Sequence, residues 1–363
     1  MIDHLKNKWV TVALVVVLLT SFGFAFTLAA PASAAEVKKL RLATFNPSLG
    51  LHADGLRYFA EEVKKQSNGN VEIEVVWGEV LAKAIEIPDA VRLGTADMGQ
   101  VIVVYHPELF PFMCSSSLIR LIVDIPFTVD AGPKGLSIYH ELAKEFPEVA
   151  DEFRKRNQVQ INGVFSYPPE AMLSRKPVRT LADAKGWKIR SWGMVIPHVL
   201  KAMGATPVSM PSVEAYEGLT KGVLDGTTAS YEILHRYRWY ENAKYYCESI
   251  ERVLAPMPIA YAITINLDRW QKLPPDAQKV MLRAGEAMTR KFSKDSYTTA
   301  GNYRQELTEK FGLTVTQVPD AEVKAIRAKV GPEVFEEYIK RMEASGHPTI
   351  RKVLQRHVDL WRK

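Results

Sequence analysis

The stretch Lys185–Gly193 reads KGWKIRSWG and sets one guanidinium, Arg190, at the end of a short apolar alternation between Trp187 and Trp192. Arginine offers a planar fork of donors that matches a carboxylate with two parallel hydrogen bonds, a fit that lysine cannot copy. On these residues alone two roles stay open: a clamp for an acidic ligand, or a salt bridge to a neighbouring acid of the fold. Signatures of covalent chemistry are missing. The chain has no G-x-S-x-G elbow, no G-x-x-x-x-G-K loop and no G-x-G-x-x-G fingerprint. His140-Glu141 opens an H-E pair, but Lys144 stands where a second histidine would complete it. The 8 histidines are dispersed, and the 2 cysteines, Cys114 and Cys247, make no zinc site. No metal or cofactor is expected, and an enzyme is the least favoured class.

The elements around Arg190 must place it in a cleft if it is to meet a ligand. Lys39–Thr44 (KLRLAT) alternates as a half-buried strand does, and 54–66 puts Leu56, Phe59, Ala60 and Val63 on one helical face. Val71–Val76 alternates again, a helix follows over 84–93 and stops at Gly94, and 97–104 closes a β-α-β-α-β series. Such alternation predicts a parallel sheet covered by helices. The middle of the chain repeats the logic with strands at 187–190, 205–208 and 224–230 and helices at 196–203 and 214–221. RLGTADMG at 92–99 and TKGVLDGT at 220–227 share a helix-ending glycine three residues before an aspartate that opens a strand, which points to two domains built alike. Proline-bearing runs at 163–169 and 252–259 read as crossings between them, and a helix over about 275–311, weakened at Gly285 and Gly301, reads as a brace across both.

Residues 1–35 read as an address. Lys6 and Lys8 precede an uncharged run from Val10 to Ala35, and Ala32-Ser33-Ala34 supplies the small-x-small pattern of a cleavage site. The alternative is an uncleaved membrane anchor, since the run is long enough to span a bilayer. Cleavage leaves roughly 330 residues, which suits two domains of about 150. The net charge is +6, with cations no denser than Lys64-Lys65 or Arg154-Lys155-Arg156, so a nucleic-acid surface has little support. An oxidising compartment permits a Cys114–Cys247 bridge, but two separate buried thiols are the first expectation.

LADAKGWKIR at 181–190, GATP at 204–207, EAY at 214–216 and KGVLDG at 221–226 resemble the solute-binding subunit of tripartite ATP-independent periplasmic (TRAP) transporters, as do FAEEVKKQSNGNVEIEV at 59–75 and RLGTADMG. The resemblance implies an α/β, two-domain periplasmic-binding-protein-like fold with a hinge and a long helix spanning both domains. It implies a small organic acid whose carboxylate pairs with the arginine ending the K-[IL]-R strand, here Arg190. Partners would be the membrane permease subunits, the place the periplasm, and the state a monomer or homodimer. The expected division is 36–167 plus 255–295 against 168–254 plus 296–363.

Three positions depart from the family pattern. Glu170 stands where many members carry a second arginine, Thr227-Thr228-Ala229 follow Asp225-Gly226 where many have Q-E-N, and Ser212 replaces a frequent aromatic. A dicarboxylate or sialic-acid-like ligand therefore fits less well than a small monocarboxylate. Glu170 either pairs with Arg190 or another cation, or faces a ligand ammonium or hydroxyl, because a buried acid needs a partner. Trp192, Tyr231 and Trp77 follow the carboxyl ends of strands, where ligands of α/β sheets sit; each either stacks on a ligand or packs in the core. Glu79, Gln100 and Glu232 are polar candidates at comparable places, and Asn46 follows the first strand in a family contact region. The leading expectation is a periplasmic receptor; the alternatives are an extracytoplasmic sensor and a secreted hydrolase-like enzyme.

Overall fold

Leu40 and Leu42 face inward while Lys39 and Arg41 stay exposed, so the alternation in KLRLAT becomes a strand with one buried face. The computed structural model describes residues 38–363, apart from 124, 126, 169, 255 and 256; the expected leader lies outside the described residues. Among the described residues eleven strands form two sheets. The first has five strands in the order β2-β1-β3-β10-β4, comprising β1 (Lys38–Ala43), β2 (Val71–Val76), β3 (Met98–Ile102), β4 (Gln158–Tyr167) and β10 (Met257–Asn266). The second has six in the order β11-β9-β5-β8-β6-β7: β5 (Ala171–Ser174), β6 (Lys188–Ser191), β7 (Thr206–Ser209), β8 (Gly226–Ala229), β9 (Tyr245–Cys247) and β11 (Thr314–Thr316). Each sheet with its helices is called a lobe below.

The sheets are mixed where a parallel arrangement was expected. β1 runs parallel to β2 and β3, and β6 to β7 and β8. β10 is antiparallel to both β3 and β4, and β5 to both β8 and β9. The cause is the path of the chain between lobes: β4 leaves the first sheet towards β5, and β10 returns beside it in the opposite direction. Of the two runs read as crossings, 163–167 lie in β4 and 257–259 in β10, paired as far as Met257 opposite Tyr167, while 252–254 are helical.

The short internal repeat has a physical basis. Gly94 and Gly222 both lie in the left-handed region, with φ of 76° and 73°, where a glycine ends a helical turn without a Cβ penalty. Three residues on, Asp97 Oδ2 accepts from the backbone N–H of Arg41 at 2.8 Å, and Asp225 Oδ2 accepts from that of Lys188 at 2.8 Å. In each lobe the aspartate ties the opening of one strand to its parallel neighbour.

The long helix α1 (Pro275–Glu309) has 35 residues, and the expected weak point at Gly285 proves to be a contact. A Cβ there would meet the Ile161 carbonyl oxygen of β4 at 2.0 Å, so the glycine lets the helix lie directly on the strand. Thr289 Oγ1 donates to the Asn162 carbonyl at 2.9 Å, while farther along Arg304 Nε reaches Glu248 Oε1 beside β9 at 2.8 Å. The helix is fastened to both lobes.

Residues 320–363, expected with the second domain, also reach the first. Arg356 pairs with Glu145 at 2.6 Å, at the end of the helix Ala131–Glu145. Cys114 and Cys247 are separate buried thiols, and burial pushes that of Cys114 up to about 12. Among the described residues no helix is long and apolar enough to cross a membrane.

Candidate functional site

β6 carries Arg190 into the second lobe between β7 and β8, with register partners Val208 and Thr227. The side chain is only 1% exposed, and three protein acceptors hold its fork. Nε donates to the Met210 carbonyl at 3.0 Å, Nη1 to the Thr228 carbonyl at 3.3 Å and Nη2 to Ser212 Oγ at 2.9 Å. The guanidinium also lies 5.7 Å from the centre of the Trp239 ring. Ser212, read as a lost ligand contact, instead positions the arginine. None of these acceptors is charged, and among the described residues no acid lies at ion-pair distance from Arg190. Of its five N–H donors, three are used.

Glu170, just before β5, is fully buried. Oε1 accepts from Trp192 Nε1 at 3.0 Å, while Oε2 has no hydrogen bond among the described residues. Burial raises its carboxyl to about 7; the Arg190 charge, the Trp192 bond and the nearby Thr228 hydroxyl pull the other way. The Thr228 hydroxyl leans on the carboxylate but reaches normal hydrogen-bond geometry with nothing described. Among the described residues Glu170 is therefore bonded to a tryptophan and to no cation. The Trp192 ring in turn meets the edge of Tyr105, 6.3 Å away, in the turn that follows β3 of the first lobe. Burial raises the Tyr105 phenol, which also feels the charges of Arg190 and Glu170.

Facing this group, the first lobe presents a polar network. Gln100 Oε1 accepts from Thr44 Oγ1 at 2.7 Å and from Asn46 Nδ2 at 2.8 Å, and its amide nitrogen meets His52 Nδ1 at 3.1 Å. The His52 ring sits among Phe165, Tyr261 and Phe292, with centroids 4.9–5.1 Å apart. Burial, then the Arg236 charge, holds its pKa well below the ordinary range, so it is neutral at pH 7. Asn46 Oδ1 accepts from Arg236 Nη1 at 3.0 Å, and Arg236 Nη2 pairs with Glu232 at 2.8 Å, one turn earlier on the helix Tyr231–Arg236. Glu232 thus serves Arg236.

Trp77, Glu79 and Tyr231 are committed elsewhere. The Trp77 ring is half-buried with the Arg57 guanidinium 5.2 Å from its centre. Glu79 is exposed and accepts from the Ala84 backbone at 2.9 Å, although its charge reaches Tyr237 of the second lobe. The Tyr231 hydroxyl donates to Glu248 at 2.7 Å, and its ring packs on Tyr246 at 4.4 Å. It lines a separate concavity of about 660 Å³, with Pro168, Glu232, Ser296 and Arg304, that includes neither Arg190 nor Glu170.

Sequence reasoning missed Tyr105, Arg236, Tyr237 and Tyr261. Tyr237 feels the charges of both Arg190 and Arg236, and Tyr261 feels that of Arg236 and the neighbouring Tyr105 phenol. Tyr105 follows the carboxyl end of β3, and the rule that selected Gln100 would have selected it. Among the described residues no cluster of three or more His, Cys, Asp or Glu side chains is arranged to hold a metal.

Residues 42–341 match the family model described as bacterial extracellular solute-binding protein, family 7. The chain is similar to a solute-binding protein of Albidiferax ferrireducens, 25% identical over 281 residues that cover 77% of this chain and 74% of the relative. Among solved structures it resembles a TRAP periplasmic solute-binding protein of Desulfovibrio salexigens, with TM-score 0.72, 26% identity and coverage of 89% and 95% of the two chains. It shares its fold with a Bordetella pertussis extracytoplasmic solute receptor binding pyroglutamic acid, at TM-score 0.73 and 23% identity, covering 90% and 99%.

Proposed function

The chain belongs to family 7 of the bacterial extracellular solute-binding proteins, the TRAP-transporter kind, and we propose that it captures a small monocarboxylate between its lobes with Arg190 as the clamp. One observation carries the proposal. Arg190 is a fully buried cation held only by uncharged acceptors, with no acid at ion-pair distance among the described residues and N–H donors to spare. A buried charge without a partner is costly, and a ligand carboxylate would supply what the fold withholds. Glu170 beside it argues against a second carboxylate. The neighbours' ligands support this choice: pyroglutamic acid, orotic acid and galacturonate each carry a single carboxylate.

On this reading the lobes close about the strands β4 and β10, no bond is made or broken, and the closed form delivers its acid to the permease subunits. Residues 1–35 act as a cleaved leader that places the protein in the periplasm. A thermal-shift screen of small acids followed by calorimetric titration tests the clamp. Arg190→Ala should weaken binding of any acid found by roughly 30-fold to several-thousand-fold, the cost of an unpaired, desolvated carboxylate. Equal affinities for the two proteins would exclude Arg190 from the site.

A further inference from the structure

We infer that the cleft is built for an acid that carries an N–H donor beside its carboxylate, and that Glu170 Oε2 accepts from that donor. The inference rests on the carboxylate reading above and specifies its ligand class. Trp192 Nε1 is a donor only, so its bond commits Oε1 and orients the carboxyl group. Oε2 is left buried and without a hydrogen bond among the described residues. A carboxyl oxygen in that state is expensive to keep, because it has lost water without gaining a full hydrogen bond in return.

Apart from the Thr228 hydroxyl, which leans on the carboxyl group without reaching hydrogen-bond geometry, no described residue uses this oxygen. Among the described residues no cation pairs with Glu170, and the arginine whose charge it feels has turned its fork to Met210, Thr228 and Ser212. The Arg190 guanidinium and the Glu170 carboxyl therefore lie close enough to sense one another without closing an ion pair. An acid with an adjacent N–H bridges such a gap in one molecule: its carboxylate meets the guanidinium and its N–H meets Oε2. An acid lacking the donor satisfies Arg190 but leaves Oε2 bare. Discrimination by a buried acceptor of this kind is worth about tenfold or more in affinity.

The test uses four five-membered-ring acids of nearly equal shape: proline, pyroglutamate, tetrahydrofuran-2-carboxylate and cyclopentanecarboxylate. Their affinities are measured by calorimetry on the mature protein and on Glu170→Gln, Glu170→Leu and Arg190→Lys. The wild type should bind at least one of the two N–H acids tenfold or more tightly than either donor-free ring. Glu170→Leu should bring that ratio to within about threefold of one. Glu170→Gln, whose one amide oxygen stays with Trp192 Nε1 and so puts an NH2 donor in the place of Oε2, provides a second reading if the leucine variant fails to fold, and should bring the ratio to one or below for both N–H acids. Arg190→Lys should weaken all four acids and preserve the ratio. A wild type without preference, or a preference that survives both Glu170 changes, overturns the inference while leaving the clamp in place. Failure of all four acids to bind overturns the carboxylate reading and the inference with it.

Discussion

Arg236 of the second lobe donates to Asn46 Oδ1 of the first across 3.0 Å, and this bond joins two networks that are otherwise internal to their lobes. On one side Glu232 balances the arginine at 2.8 Å; on the other Gln100 holds the Asn46 amide at 2.8 Å. The lobes are thus linked by the protein's own side chains beside the proposed ligand position. If closure brings them together, Asn46→Ala removes a charge-assisted bond that forms only in the closed form. A bond of that type is worth about 1.5–3 kcal/mol, enough to shift a closing equilibrium tenfold or more. The unliganded variant should be measurably more expanded than wild type in small-angle scattering. Identical profiles, with and without acid, would remove Asn46 from any role in closure.

Ser212 illustrates a second kind of dependence. Its hydroxyl takes Arg190 Nη2 at 2.9 Å, so Ser212→Ala frees the fork to pivot without touching its charge. The expected loss is about 1 kcal/mol, roughly fivefold in affinity for an acid held by Arg190. Because the same contact is lost for every acid, the order of preference among acids should not change. A reordering in a competition assay would show that Ser212 itself touches the ligand.

The place of Arg190 at the end of a strand was legible because the flanking tryptophans and the K-I-R alternation are local features. Arg236 was not. Glu232 stands out as a polar candidate at the end of a strand, but its i,i+4 partner Arg236 does not, because only the packing of Asn46 against the pair turns the arginine into a buried link. The partner of Tyr231 was hidden for a related reason: Glu248, which takes its hydroxyl, lies seventeen residues away. The alternation of strands and helices could be read from periodicity, yet the antiparallel course of β10 could not, because its partners β3 and β4 come from distant sequence. The aspartates in RLGTADMG and TKGVLDGT show the converse, a pattern eight residues long whose meaning is a single hydrogen bond in each lobe.

The two glycines of α1 should respond in opposite directions. At Gly285 an added methyl would meet the backbone of Ile161 at 2.0 Å and of Gly163 at 2.8 Å, so the helix must move off β4. Gly285→Ala should cost about 1–3 kcal/mol, the usual penalty for overpacking. At Gly301 nothing lies within 4 Å of the added carbon, and alanine gains helix propensity without a clash. Gly301→Ala should add roughly 0.5–1 kcal/mol. Urea unfolding of the two variants decides the matter, and the same sign for both would mean that α1 does not lie on β4 as described.

Glu152 makes stability depend on pH in a direction opposite to that of an ordinary paired carboxylate. It is buried, accepting from the backbone N–H groups of Phe112 and Met113 and from the Tyr139 hydroxyl at 2.8 Å, yet burial outweighs these bonds and lifts its carboxyl from 4.5 to about 7. Between those two values the folded chain keeps a proton that the unfolded chain has released. Stability is therefore lost as pH rises through this window, by an amount on the order of 3 kcal/mol when the whole shift is counted. Glu152→Gln keeps an acceptor for Phe112 and Met113 but cannot titrate. The wild type should exceed the variant in stability by more at pH 5 than at pH 8, with the change falling between about 5 and 7. Glu170 shifts in the same direction, and the buried histidines His52 and His357 have pKa values held low, but all three are present in both proteins and cancel in the difference. Urea unfolding of both proteins at several pH values measures it, and parallel profiles would place the Glu152 carboxyl back in the ordinary range.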